Sequence, residues 1–247
     1  MSELHEHVRD WWDADAGSYD ASAGHAMSDP VEAAAWAAAL TALLPPAPAT
    51  VLDVGAGTGS ISFAAAELGH VVTGIDLSER MLAKAREKAD ARGLPVRFEH
   101  RPAEEPPEGP FDAIVERHVI WTLPDPVAAL TAWRRCAAPG GRLVLFEGSW
   151  GGEGPLVPLR NAAAARIERW IGIPSDHHAP YPDQIVTRMP LAGAGSPRPF
   201  VDAVRDAGWS GIRLYRLRDV EWAIGRRQRW PLGWLTHRPR YAIAASA

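Results

Sequence analysis

The stretch from Thr50 to Ser60, TVLDVGAGTGS, constrains the fold more than any other part of the chain. Thr50 to Val54 is an apolar run of β type that ends in glycines at 55, 57 and 59, and the alanine-rich segment from Ile61 to Leu68 reads as a helix. A strand, a glycine turn and a helix N-terminus converge unpaired backbone N–H groups, which makes a cradle for an anionic group. Glycine permits positive φ there and lets a ligand approach with no Cβ in the way.

Strands and helices alternate from this point on. Strands are expected at 50–54, 71–76, 96–99, 111–117, 142–147, 212–217 and 240–244, with helices at 79–91, 127–138, 159–171 and 200–207. That order predicts an α/β fold with parallel strands and crossover helices. Continuous apolar runs such as AIV and LVLF suit a sheet covered on both faces. Ahead of the sheet, residues 3–13 read as a helix, and Asp29-Pro30 supplies an N-cap and first-turn proline for a second helix running to about Leu44. The tract from 173 to 199 reads as a long loop, broken by prolines and glycines. Loops of that length inside a domain usually carry function.

The glycine spacing separates two cofactor classes. A dinucleotide fingerprint requires G-x-G-x-x-G/A, whereas here Gly55 and Gly57 are followed by Ser60, with the third glycine one residue early at Gly59. As it stands, D-V-G-A-G-T-G resembles the first motif of the class I S-adenosylmethionine (SAM) methyltransferases. The segments FDAIVERHVIWTLPDP and PGGRLVLFEG resemble that family's fourth- and fifth-strand motifs. The resemblance covers roughly residues 45–247 and is nearest to small-molecule methyltransferases of the ubiquinone/menaquinone type and their natural-product relatives. It implies a Rossmann-like, seven-stranded, mostly parallel sheet with the last strand antiparallel and helices on both faces. It also implies an N-terminal helical lid at 1–44 and a methyltransferase domain at 45–247, with a substrate-side insertion at about 148–199.

The same resemblance assigns the cofactor site. Gly55, Ala56, Gly57, Thr58 and Gly59 would wrap the methionine part of SAM, and Asp76, with Leu77 and Met81 just beyond it, would hold the ribose. Asp76 ends a strand 23 residues after Asp53, where a carboxylate can accept from both ribose hydroxyls. The family's usual acid for the adenine is replaced here by Pro102-Ala103, which leaves the Ala103 N–H and, in part, Glu104. Asp53 would orient the cofactor's ammonium through water, and Arg117 would meet its methionine end. Tyr19, in the lid segment Ala16-Gly17-Ser18-Tyr19-Asp20, would bond its carboxylate or simply pack.

Methyl transfer from a sulfonium is an in-line displacement, so alignment and exclusion of water can carry most of the catalysis. A base is needed only where the acceptor must lose a proton. His118, Glu147, His177 and His178 are the candidates, with Asp176 as an orienter and a purely structural role for His118 as the alternative. Two adjacent histidines rarely face one ion, so Asp176, His177 and His178 predict no metal site. Eleven tryptophans, among them Trp11, Trp12, Trp121, Trp150 and Trp170, and a further set at Trp222, Trp230 and Trp234, point to aromatic walls around a hydrophobic or aromatic acceptor. A protein of this fold that binds SAM without transferring methyl is the second reading.

Bulk properties narrow the partners. A formal charge of −4 gives no reason to expect nucleic acid. No apolar run approaches the roughly 20 residues of a membrane span. Cys136, the only cysteine, falls in an apparent helix and is expected to be a packed thiol. The charged, polar N-terminal stretch does not read as a secretory signal, and a cytoplasmic address is expected.

Overall fold

The computed structural model describes residues 3–21, 24–148, 157–171, 181–228 and 230–247. Its strands are β1 (Thr50–Val54), β2 (Val71–Asp76), β3 (Arg97–His100), β4 (Phe111–Arg117), β5 (Ala137–Gly148), β6 (Ser210–Arg216) and β7 (Arg240–Ser246). They form one seven-stranded sheet in the order β3-β2-β1-β4-β5-β7-β6. Strands β1 to β5 pair in parallel. β7 inserts antiparallel between β5 and β6. This is the Rossmann-like α/β sheet that the motifs imply.

The helices are α1 (Glu3–Asp15), α2 (Pro30–Leu43), α3 (Ser60–Glu67), α4 (Glu79–Arg92), α5 (Pro126–Cys136), α6 (Val157–Ile171), α7 (Asp183–Val186), α8 (Arg198–Asp206), α9 (Arg218–Gly225) and α10 (Leu232–Leu235). Alternate strand residues point to opposite faces. Leu52, Ile114, Leu145 and Ile243 pack with Trp133 of α5 and Phe200 of α8 on one face. On the other, Val51, Val115, Phe146 and Ala242 pack with Trp36 of α2, Ile61 of α3 and Val220 of α9. Within residues 1–44, α2 therefore covers the sheet, while α1 packs Leu4 and Val8 against Ile185 and Met189 from the 181–199 stretch.

Local chemistry explains the element ends. Asp29 caps α2 by accepting from the Val31 and Glu32 amides, with Pro30 in the first turn. Ser78 caps α4, and Gly93 ends it with φ +64°. Three differences from the sequence reading stand out. β5 starts at Ala137 because Phe111 pairs with it across a register shift. The tract read as a loop contains α7, and α9 and α10 were not foreseen. Four-residue helices such as α7 and α10 are too short for periodicity to show, and α9 has no side-chain N-cap to announce it. Among the described residues, no helix is long and apolar enough to cross a membrane.

Candidate active site

Strand order reverses between β1 and β4, and the loops that follow these two strands meet at their carboxyl ends, where ligands of open α/β sheets bind. Gly55 to Gly59 form the turn from β1 into α3. Gly55 has φ +68°, and a Cβ there would lie 2.0 Å from Val119 Cγ2, so the turn is packed directly against the loop after β4. Gly57 has φ +56°, and a Cβ there would meet nothing nearer than the Gly55 carbonyl at 4.0 Å. Its open side faces a cavity.

Carboxylates surround this turn. Asp76 accepts from the Gly57 N–H at 2.8 Å and from the Ser78 N–H at 2.7 Å. Burial pushes its pKa up to about 6, against the pull of those two backbone bonds. Asp53, 1% exposed, accepts from Ser62 Oγ at 2.6 Å, and burial raises it well above the usual carboxylate range. Glu116 accepts from the Val119 and Ile120 amides and is likewise raised by burial. Leu77 and Met81 line the cavity beside Asp76, and the Met81 amide is capped by Ser78 Oγ.

An N-terminal strap closes one side. Tyr19 stacks on His25 with centroids 4.2 Å apart. Thr58 donates to Asp20 at 2.6 Å, and Lys88 of α4 donates to the same carboxylate at 2.9 Å. Arg117, at the end of β4, donates to the Gly24 and His25 carbonyls, both at 2.9 Å. A small pocket beneath the strap is bounded by Tyr19, Asp53, Ala56, Thr58 and Arg117. On α1, His5 pairs with Glu104 at 3.0 Å. The Ala103 carbonyl takes the Trp133 indole N–H at 2.7 Å, which fixes the backbone where its own N–H is needed.

The main cavity measures about 600 Å³, within the ~300–1,000 Å³ of small-molecule sites. Trp11, Trp12, Trp121 and Tyr181 form its aromatic side, with Trp11 stacked on Tyr181 at 4.5 Å. Trp170, Trp222, Trp230 and Trp234 do not line this cavity: they are 86%, 64%, 90% and 68% exposed, on or beside α6, α9 and α10. Trp36, Trp133 and Trp209 are buried in the core, and Cys136 is a packed thiol bonded to the Trp133 carbonyl.

His118 bounds the polar end of the cavity. It has φ +64°, because the chain turns sharply after β4 around the Glu116 carboxylate. Its Nδ1 lies 3.3 Å from Glu147 Oε2, and its Nε2 lies 3.0 Å from Arg240 Nη1. Burial holds its pKa well below the ordinary imidazole value, and Arg240, Arg117 and His25 lower it further. Trp150, Asp176, His177 and His178 lie outside the described residues.

The structure thus brings together the loop glycines, Asp53, Asp76, Leu77, Met81, Ala103, Glu104, Arg117, Tyr19 and His118. His5, His25, Glu116 and Arg240 are additions to the predicted set. Arg240 had a readable signal: an antiparallel last strand begins where β5 ends, and Arg240 pairs with Gly148 at the ligand edge.

The strand order and glycine cradle define an α/β domain built to hold a nucleotide-like cofactor. Residues 52–145 match the family model described as a methyltransferase domain. A phosphatidylethanolamine N-methyltransferase of Cereibacter sphaeroides is 35% identical over 130 residues, covering 51% of this chain and 63% of the relative. A demethylmenaquinone methyltransferase of Thermus thermophilus is 42% identical over 105 residues, covering 41% and 48%. The chain therefore spans 63% and 48% of the length of these two curated relatives. A structure solved in work on the conversion of a disulfide bond into a thioacetal group during echinomycin biosynthesis is 26% identical, with a TM-score of 0.55 over 85% of this chain and 80% of that one. Residues 52–145 thus match a methyltransferase domain, and the chain is similar to these two methyltransferases over about half of its length or less.

Proposed function

We propose that the chain binds SAM in the cradle of Gly57 and Asp76 and transfers its methyl group to oxygen, nitrogen or carbon of a hydrophobic or aromatic small molecule. One observation carries this reading. The open side of Gly57, tied to Asp76, faces directly into a cavity walled by Trp11, Trp12, Trp121 and Tyr181. The residues fit the cofactor. Each Asp76 oxygen has spent one lone pair on a backbone N–H and keeps another for a ribose hydroxyl. The small pocket next to Arg117, Asp53 and Tyr19 suits the charged amino-acid end.

SAM supplies an electrophilic methyl on a sulfonium. The chain's part is to fix the two reactants in line and to keep water out, which the strap and α1 do by covering the cradle. Aromatic walls hold a flat or cationic acceptor by stacking and cation–π attraction. An alcohol or phenol acceptor needs a base, for which His118, Glu147, His177 and His178 are the candidates, and a neutral amine or ring carbon needs none. We place the reaction in the cytoplasm, in a biosynthetic pathway of secondary metabolism, with no nucleic acid, membrane or metal taking part.

Calorimetric titration with S-adenosylhomocysteine, with NAD as control, tests the cofactor. Micromolar binding of the first alone, roughly −8 kcal/mol, is expected, and a preference for NAD would overturn the reading. Labelled SAM offered with a panel of aromatic and aliphatic acceptors then tests transfer. Binding without transfer to any acceptor would favour a regulator or scaffold of the same fold.

A further inference from the structure

We propose that Arg240 is a positioning residue, whose guanidinium fixes His118 at the polar end of the cavity as a neutral imidazole carrying its hydrogen on Nδ1. The juxtaposition is between the first residue of β7 and the residue just after β4, 122 positions apart in sequence and 3.0 Å apart in space. Arginine has donors and no acceptor. The His118 Nε2 that faces Arg240 Nη1 must therefore present its lone pair, which leaves the hydrogen on Nδ1. On that side stands Glu147 Oε2, at 3.3 Å and with its side chain buried. Acceptor, imidazole and donor form one directed chain from β5 through β4 to β7.

The charged and titratable groups facing the ring come from every side. Arg240 reaches it from β7, Arg117 from β4, His25 from the strap and Glu147 from β5. A proton on Nε2 would put a second cation against the Arg240 guanidinium in a desolvated setting. The ring therefore stays neutral, in line with the depression of its pKa by burial and by these neighbours. Arg240 is itself held down to about 10 by burial and by Arg117, and its backbone N–H is anchored on Glu221 Oε1 at 2.6 Å.

The arrangement withdraws His118 from the set of bases. Its one basic lone pair already receives a hydrogen bond from a cation, so a proton taken from an acceptor would have to displace the guanidinium. His118 instead gives the cavity a polar wall of fixed orientation, in an uncommon left-handed backbone conformation of the kind that persists at functional sites when its surroundings enforce it. The consequence for turnover rests on the methyltransferase reading, whereas the tautomer does not.

The test is 15N NMR of the full chain labelled at histidine, titrated between about pH 5 and 8, for the wild type, Arg240→Lys and Arg240→Met. The wild type should show His118 as the Nδ1–H tautomer with no titration near its ordinary value of about 6.5. Arg240→Lys keeps a cationic donor and should preserve that signature, while Arg240→Met should let the ring titrate or change tautomer. A wild-type His118 that titrates near 6.5, or an Arg240→Met protein with an unchanged signature, would overturn the proposal. If Arg240→Met does not fold, the wild-type and lysine spectra still decide it. In the kinetic arm, Arg240→Met and His118→Ala should each lower kcat about tenfold with little change in the KM for SAM, and the double variant should lose no more than either single. Additive losses would overturn the coupling. An inactive wild type would sink the methyltransferase reading alone, since the spectra do not depend on turnover.

Discussion

The Asp76 carboxylate accepts the Gly57 amide hydrogen at 2.8 Å, so the end of β2 is tied to the turn after β1. Its other oxygen takes the Ser78 N–H, and Ser78 in turn caps α4 and donates to Asp13 of α1. One half-buried acid thereby joins the glycine turn, the helix after β2 and the N-terminal helix. Any ligand bonded to Asp76 is bonded to the joint of all three.

The ionised form of Asp76 is the one that accepts from a ribose, and its pKa without ligand is pushed up to about 6. S-adenosylhomocysteine affinity should therefore be flat above that value and fall as pH drops through it, by about tenfold per pH unit. Asp76→Asn should bind at least about tenfold more weakly, through a lost charge-assisted bond worth roughly 1.5–3 kcal/mol. It should also lose the acid limb. Calorimetry across the pH range checks both.

Gly55 and Gly57 make a matched pair. Alanine at 55 would drive a Cβ into Val119 at 2.0 Å, in a backbone conformation that already disfavours it. We expect Gly55→Ala to destabilise the fold by about 1–3 kcal/mol. Gly57→Ala has space around it, so it should cost only about 1–2 kcal/mol of backbone strain while placing a methyl where the ligand must approach. Urea unfolding separates the two on stability, and only Gly57→Ala should lose more binding than its stability change explains.

Trp11 stacks on Tyr181 on the aromatic side of the cavity. Trp11→Ala should raise the KM for the acceptor by about 10-fold, the order of one lost aromatic pair and its burial, with cofactor affinity within about twofold. An equal loss of both would assign Trp11 to the cofactor side.

Glu116 is an acid whose folded pKa lies above its ordinary value, because burial disfavours its charge. The folded state then holds more protons than the unfolded one, so this contribution to stability is full at low pH and is lost as pH rises from about 4.5 upward. Asp53 acts in the same direction, and His118, depressed, acts in the opposite one below its ordinary value of 6.5. Glu116→Gln keeps an acceptor for the Val119 and Ile120 amides and has no proton to lose. Unfolding at several pH values should show wild type losing stability relative to Glu116→Gln as pH rises, and parallel curves would refute a neutral Glu116.

The sheet could be read because period-2 apolar runs and the glycine turn are local signals. Asp76 and Arg117 could be placed beside the cavity because strand ends are where an open sheet exposes side chains. Four of the predicted tryptophans lie exposed on or beside α6, α9 and α10, since residue type alone carries no information about which way a side chain faces. His5 and His25 were hidden for another reason. They act through contacts spanning 99 and 92 positions, and no local pattern encodes a partner that distant. The place of Arg240 at the strand edge was readable, whereas its partner His118, 122 positions away, was not.

The insertion of β7 between β5 and β6 also sets an order of events. Chains leave the ribosome from the amino end, so the glycine turn, Asp76 and His118 all emerge while residues 240–246 are still unmade. The cradle can form early from neighbouring elements, whereas the clamp on His118 waits for a pairing between Gly148 and Arg240 that closes a span of 92 residues. Long-range strand pairing of this kind is slow. A nascent chain therefore passes through a stage that has the cradle but lacks the finished polar end.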